Sequence, residues 1–165
     1  AMEAVLSEDT PENRAVAYCH YHLTVEGILA QTGYYGLHGT YGEGGDLPHL
    51  PGLVEGLAKI RRDEGRHVGF GMAKLKELVA DGVDPSLLSE TVDELVPLVV
   101  EITAGDPEPA DEDAASTHGS GGPTPSELRS YAVEKHAERM QQIVDANREI
   151  PDVDSLTRLD RREAR

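Results

Sequence analysis

Apolar residues recur at spacings of three and four along most of the chain, and this period predicts helices. Thr10-Pro11 is a typical helix start, with Thr10 as N-cap and proline in the first turn. The first long helix is predicted over residues 11–36. One broad face of this helix is formed by Val16, Cys19, Leu23, Glu26 and Ala30. Residues 36–51 are rich in Gly and Pro, which predicts a connection.

A second long helix is predicted over residues 50–80, with Gly82 as its C-cap. An inward-facing stripe along this helix is formed by Leu53, Leu57, Ile60, Glu64, His67 and Gly71. A third helix begins at Pro85, and Pro97 is expected to kink or end its regular part. The apolar residues 98–100 are expected to be buried beyond that point.

The C-terminal third contrasts an acidic loop with a well-defined helix start. Residues 104–122 hold almost no large apolar side chain, which predicts a mobile loop. Thr124 and Glu127 have the spacing of a capping box, which begins a helix reaching to about residue 148. Its inner side is predicted to comprise Leu128, Tyr131, Ala132, His136, Met140 and Ile143. A short final helix is expected over residues 154–162.

No segment alternates with period two, so the predicted class is all-α, with helices long enough for an antiparallel bundle. The chain divides into residues 1–104 with the long helices, an acidic loop at 105–123 and a helical segment at 124–165. The lone Cys19 excludes an internal disulfide and is predicted to be an inert core thiol.

The net charge of −16, from 31 acidic and 15 basic residues, argues against nucleic acid as a partner. An acidic, solvated surface explains this charge most simply, and abundant Asp and Glu with scarce Lys is typical of proteins from salt-loving archaea. No apolar run approaches the roughly 20 residues that cross a bilayer, and no leader is visible. We therefore expect a cytoplasmic protein without a membrane span.

Glu64 and His67 are three residues apart, so on a helix both side chains point the same way and can bind one metal ion. Taken alone, the Glu-x-x-His spacing also occurs by chance on exposed helices. Glu26 strengthens the signal, because it is the only charged residue in the apolar run 23–30. One Glu on one helix and Glu-x-x-His on the next is half of the ligand set of a four-helix di-metal site. Such carboxylate and imidazole ligands suit iron and manganese.

Two segments carry a family resemblance: residues 21–35 (YHLTVEGILAQTGYY) and 62–71 (RDEGRHVGFG). They resemble the second half of the ribonucleotide reductase small-subunit-like superfamily, and within it most closely the ligand-binding oxidase branch. The resemblance covers roughly residues 12–100 well and the C-terminal helices in outline. It implies a ferritin-like bundle with a di-iron or manganese/iron centre, in which Glu26, Glu64 and His67 are ligands.

The resemblance also implies roles for three further residues. Asp63 would accept a hydrogen bond that orients a ligand histidine. Tyr21 corresponds to the catalytic-site tyrosine that this branch can cross-link to a nearby valine, although a hydrogen-bonded core tyrosine is an equal alternative. Ala30 would leave space beside the metals for a long-chain, fatty-acid-like ligand, unless it is an ordinary packing residue.

The first half of the four-helix pattern is absent, since no second Glu-x-x-His accompanies the first. We therefore expect the C-terminal half of such a bundle, and a fragment of a longer protein is one interpretation. The leading function is a di-metal oxidase that activates dioxygen. One alternative is the ribonucleotide reductase small subunit, which generates a radical, although the Arg-rich C-terminus lacks the aromatic residue expected there. The other is a non-catalytic half-bundle or a homodimer that completes its own site.

Overall fold

The computed structural model describes residues 1–45, 47–104, 122–145, 149–150 and 152–156. All regular structure in these residues is helical, which confirms the all-α class. The elements in chain order are α1 (Met2–Ser7), α2 (Pro11–Tyr18), a π-helical segment (Cys19–Ala30), α3 (Gln31–Tyr41), α4 (Pro51–Ala80), α5 (Pro85–Ala104), α6 (Pro125–Val144) and α7 (Val153–Leu156). The predicted acidic loop lies outside the described residues up to residue 121, as does the predicted final helix from residue 157.

Helices α2 and α3 and the π-helical segment between them form one continuous helix, because the backbone is right-handed helical at both junctions. The predicted start is confirmed, since the Thr10 hydroxyl accepts a hydrogen bond from the Asn13 amide at 3.1 Å. The predicted end at residue 36 is wrong, because the helix continues to Tyr41. A Cβ at Gly39 would lie 2.5 Å from the Pro123 ring, so this glycine provides close packing within the helix.

Helix α4 spans Pro51–Ala80 as predicted, but its buried face is rotated from the predicted stripe. The apolar residues that it buries are Leu57, Val68, Met72 and Leu75, and they repeat at helical spacings. Leu53 and Ile60, which the pattern placed inward, are exposed. Glu64 is therefore at the edge of the core face, and His67 lies outside it.

Helix α5 continues past Pro97 to Ala104, so the proline does not end it. One proline removes a single hydrogen bond of the ladder, and Val99 beyond it is buried in the core. Leu98, predicted to be buried, is exposed. Helix α6 begins with the predicted capping box between Thr124 and Glu127. No helix in the described part of the chain is both long and apolar enough to cross a bilayer.

The π-helical segment is at the centre of the packing and contacts α2, α3, α4, α5 and α6. Its buried side chains include Cys19, Leu23 and Ile28, which join the core with residues of α4, α5 and α6. The predicted inner face of the first long helix is thereby confirmed for Cys19, Leu23 and Glu26. This segment, which carries Glu26, has 12 residues and is therefore longer than the single-turn π-bulges that are often found at functional sites.

Candidate metal centre

Three potential metal ligands converge where the π-helical segment packs against α4. Glu26 comes from the π-helical segment, and Glu64 and His67 come from α4. One ligand atom of each lies within 4.8 Å of the other two, a spacing that a single ion can bridge. The structure therefore brings together the three residues that the sequence singled out.

The distances within this group show which atoms face one another. His67 Nδ1 lies 3.1 Å from Glu26 Oε1 and 3.6 Å from Glu64 Oε2. Glu64 Oε2 is buried and makes no hydrogen bond to any described residue. A buried acceptor without a hydrogen bond costs about 1–3 kcal/mol, so this oxygen is suited to receive a cation.

The site lies at the edge of the bundle. Glu26 is 6% exposed, whereas the side chain of His67 is 57% exposed. An ion can therefore reach the group from solvent through the His67 side while Glu26 holds it from the core. Two carboxylates and one imidazole form a mixed oxygen and nitrogen donor set, which suits first-row transition metals. Three protein ligands also leave coordination positions open for water or substrate.

His22 is a neighbour of the group that the sequence analysis did not assign. Its Nδ1 lies 2.7 Å from Glu26 Oε2, the carboxylate oxygen that His67 does not contact. The available signal was the spacing of four between His22 and Glu26, which places both on one helical face. Because such pairs are common, the spacing alone could not separate a structural pair from a site residue.

Tyr34 is a second unassigned neighbour, since its hydroxyl donates to Glu64 Oε1 at 3.3 Å. Burial raises the pKa of Tyr34, and the nearby carboxylates of Glu64 and Glu26 raise it further. The hydroxyl consequently stays a hydrogen-bond donor at neutral pH. No spacing rule could have found this contact, because 30 residues separate its two partners.

Tyr21 does not belong to the group of three. It is 54% exposed, and its ring contacts His22 with 5.2 Å between ring centroids. An α-helix places residues five apart on different faces, whereas the i→i+5 repeat of a π-helix turns Tyr21 closer to the Glu26 side. Tyr21 also lines a mostly apolar cavity of about 360 Å³ with residues of α1 and α2. The alternative of a core tyrosine is therefore wrong.

The two other predicted site residues are peripheral. Asp63 is exposed and its carboxylate accepts a hydrogen bond from Arg66 on the same helix. The contact that it makes is therefore a surface ion pair, and its role toward a ligand histidine stays a prediction. Ala30 is half-buried at the end of the π-helical segment, and the cavity beside Tyr21 does not include it. A ligand pocket at Ala30 likewise stays a prediction.

Arg139 of α6 contacts the π-helical segment next to Glu26. It is 4% exposed and donates a hydrogen bond to the carbonyl oxygen of Gly27. Burial lowers the pKa of Arg139 to about 10, so the side chain is still a cation at neutral pH. A Cβ at Gly27 would lie 3.3 Å from Arg139 Nη1 and 2.9 Å from the His22 carbonyl oxygen. Glycine at this position therefore lets the guanidinium approach the backbone.

The fold and the group of three define a class: an all-helical protein with a carboxylate- and histidine-bearing candidate metal site between two packed helices. No family model matches the chain. Any narrower assignment is therefore based on the ligand set and on the resemblance of the two segments that contain it.

Proposed function

We propose that Glu26, Glu64 and His67 bind a transition-metal ion, iron or manganese, as half of the di-metal centre of an oxygen-activating oxidoreductase. The observation that carries this proposal is the buried Oε2 of Glu64, which makes no hydrogen bond among the described residues yet faces a histidine nitrogen at 3.6 Å. Without a cation, burial of this carboxylate oxygen at the helix interface is costly. Iron and manganese are favoured by the resemblance of both ligand segments to ferritin-like oxidases.

In this function the side chains have distinct tasks. Glu26 and Glu64 would supply negative charge that offsets the charge of the metal, and His67 would supply a neutral nitrogen ligand. A pair of bound metals would supply the electrons that reduce dioxygen. Tyr34 would hold Glu64 through Oε1 and leave Oε2 free. Tyr21, next to His22 at an exposed position, would be the side chain available for oxidation.

A second candidate function is that of a half-bundle that pairs with another copy. It is favoured by apolar side chains that α4 leaves exposed on the same side of the helix as His67, namely Leu53, Ile60 and Phe70. A two-fold dimer through this face would duplicate the ligands and give the two Glu and two Glu-x-x-His of a full di-metal site. Sedimentation with metal analysis tests this candidate. A protein that sediments as a dimer with two bound ions supports it, and a protein that binds an ion but sediments as a monomer contradicts it.

Cobalt titration tests the metal site itself, because Co²⁺ occupies iron and manganese sites and its visible absorption reports coordination. We expect saturable Co²⁺ binding by the wild type and a loss of more than about 100-fold in affinity for Glu64→Ala, since removing a ligand exceeds the 10–100-fold effect of supporting residues. Glu55→Ala is the matched control, because Glu55 is an exposed residue of α4 paired with Lys59. A wild type that binds neither Co²⁺, Mn²⁺ nor Fe²⁺ would overturn the proposal.

A further inference from the structure

We propose that His22 is a positioning residue of the metal centre. It orients the carboxylate of Glu26 by a hydrogen bond to the oxygen that His67 does not contact. This inference rests on the proposed function. The two oxygens of Glu26 have different partners: Oε2 lies 2.7 Å from His22 Nδ1, and Oε1 lies 3.1 Å from His67 Nδ1. His22 is thus outside the group of potential ligands while touching its most buried member.

The ring of His22 is fixed by its surroundings. A Cβ placed on Gly71 would lie 2.2 Å from His22 Cβ, so α4 approaches the histidine as closely as glycine permits. Aromatic rings pack around the imidazole with centroids 5.2–5.6 Å away, contributed by Tyr18, Tyr21 and Phe70. The side chain of His22 is 15% exposed. An imidazole confined in this way keeps Nδ1 directed at Glu26.

This confinement has a consequence for the carboxylate. The terminal torsion of a glutamate is broad and roughly two-fold, so a free carboxylate samples many orientations. A hydrogen bond from His22 Nδ1–H to Oε2 selects one orientation and leaves Oε1 for the metal side. Groups that orient metal ligands in this manner typically contribute 10–100-fold to metal affinity.

Two variants of nearly equal shape separate the hydrogen bond from packing. Asn at position 22 carries an amide nitrogen on Cγ, as His22 carries Nδ1, and so retains a donor near Glu26. Leu has the same branched outline without a donor. His22→Phe is a third variant, which keeps a ring among the aromatic neighbours and also lacks the donor. His136→Phe is the control, because His136 Nε2 contacts the Asp93 carboxylate at 2.9 Å, and neither belongs to the group of three.

The full-length variants are titrated with Co²⁺ and followed by visible absorption, with circular dichroism melting to verify folding. We expect His22→Leu and His22→Phe to bind Co²⁺ about 10–100-fold more weakly than the wild type, with an altered absorption band. His22→Asn should recover affinity to within about threefold of the wild type, and His136→Phe should leave affinity and band unchanged. Such a pattern is not produced by packing alone, since Asn and Leu fill the same space.

Two results overturn the positioning role. One is equal affinity of His22→Asn and His22→Leu, whichever value they share, because the donor would then have no effect. The other is binding by folded His22→Phe that equals that of the wild type. Absence of Co²⁺ binding by the wild type gives a different result, since it rejects the proposed metal site and the role of His22 together.

Discussion

The π-helical segment presents two neighbouring residues to opposite kinds of electrostatic environment. The Glu26 carboxylate contacts two imidazoles, from His22 and His67. The Gly27 carbonyl contacts the guanidinium of Arg139, a buried cation. On the Glu26 side, the neighbouring groups are imidazoles, whose nitrogens can coordinate a metal ion. On the Gly27 side, the charged group is the Arg139 guanidinium, which keeps its proton at neutral pH.

This difference separates a site from a structural contact. Carboxylate oxygens and imidazole nitrogens can both coordinate a metal ion, so the anionic side, that of Glu26, can take a further partner. Arg139 has no such alternative, because a guanidinium donates hydrogen bonds but does not bind metals. Burial of charge alone therefore does not mark a candidate site, whereas burial beside other groups that can coordinate a metal ion does.

Cys19 lies in the core on the π-helical segment, and its thiol should react slowly in the folded protein. The change in its alkylation rate on unfolding is the largest effect expected. Burial raises the pKa of Cys19 from 9.0 to about 12, and only the thiolate reacts rapidly. At pH 9, alkylation by iodoacetamide should be on the order of 500-fold slower in the folded protein than in urea, from the thiolate fractions alone. Mass spectrometry measures both rates, and rapid labelling of folded protein would contradict the buried placement.

The same pKa shift predicts how stability depends on pH. Between pH 9 and about 12 the unfolded thiol loses its proton while the folded one retains it. The folded state therefore binds more protons, and stability falls as pH rises through this window. Urea unfolding of the wild type and Cys19→Ala at pH 8 and pH 10.5 measures the effect. The decline should be smaller in Cys19→Ala, and equal declines would show that Cys19 does not contribute.

Two substitutions compare how much the Glu26 carboxylate, carried by the π-helical segment, and the Arg139 guanidinium, which contacts the next residue of that segment, contribute to Co²⁺ affinity. Glu26→Gln keeps the shape of the side chain but removes its charge, and should weaken Co²⁺ binding by more than about 100-fold, beyond the effect of supporting residues. Arg139→Met should leave Co²⁺ affinity within about threefold, because Arg139 contacts the Gly27 backbone and none of the three ligands. Equal losses in both variants would remove the distinction between the two sides.

A pair of glycine substitutions compares a crowded and an open position of the same continuous helix through their effects on stability. At Gly27 a Cβ would lie 2.9 Å from the His22 carbonyl oxygen, so Gly27→Ala should destabilise the fold by about 1–3 kcal/mol. At Gly33, later in the same continuous helix, a Cβ would meet no atom within 4 Å. Gly33→Ala should therefore stabilise by roughly 0.4–1 kcal/mol. Urea unfolding measures both, and a neutral Gly27→Ala would show that the surroundings of Gly27 accommodate the added Cβ.

The sequence contained much of the fold, because helix starts and apolar spacing are local signals. The Thr10 cap, the Thr124 capping box and the span of α4 were all predictable. The glycine-rich end of the first long helix was not, because Gly39 serves a contact with Pro123 that no local pattern encodes. Tertiary packing decides whether such a glycine ends a helix or permits a close approach.

For the site, the sequence revealed the three potential ligands but not their surroundings. A lone Glu26 in an apolar run and the spacing of Glu64 and His67 were sufficient to find the group. The sequence predicted the wrong buried face for α4. Apolar residues such as Ile60 are exposed, so the apolar pattern of the helix is wider than the face that is buried. Partners such as Tyr34 depend on the register between helices, which spacing within one helix cannot reveal.

Tyr34 provides the smallest and most specific test of the anionic side. Its hydroxyl contacts Glu64 Oε1 at 3.3 Å, which is long for a bond between oxygens. Tyr34→Phe should therefore weaken Co²⁺ binding by about threefold to tenfold, at or below the lower limit for orienting groups. Tyr41→Phe is the control, because Tyr41 ends the same helix and contacts none of the three ligands through any described hydrogen bond. An unchanged affinity for Tyr34→Phe would mean that Glu64 is held by the metal and by helix packing alone, so that only Glu26 has an oriented carboxylate.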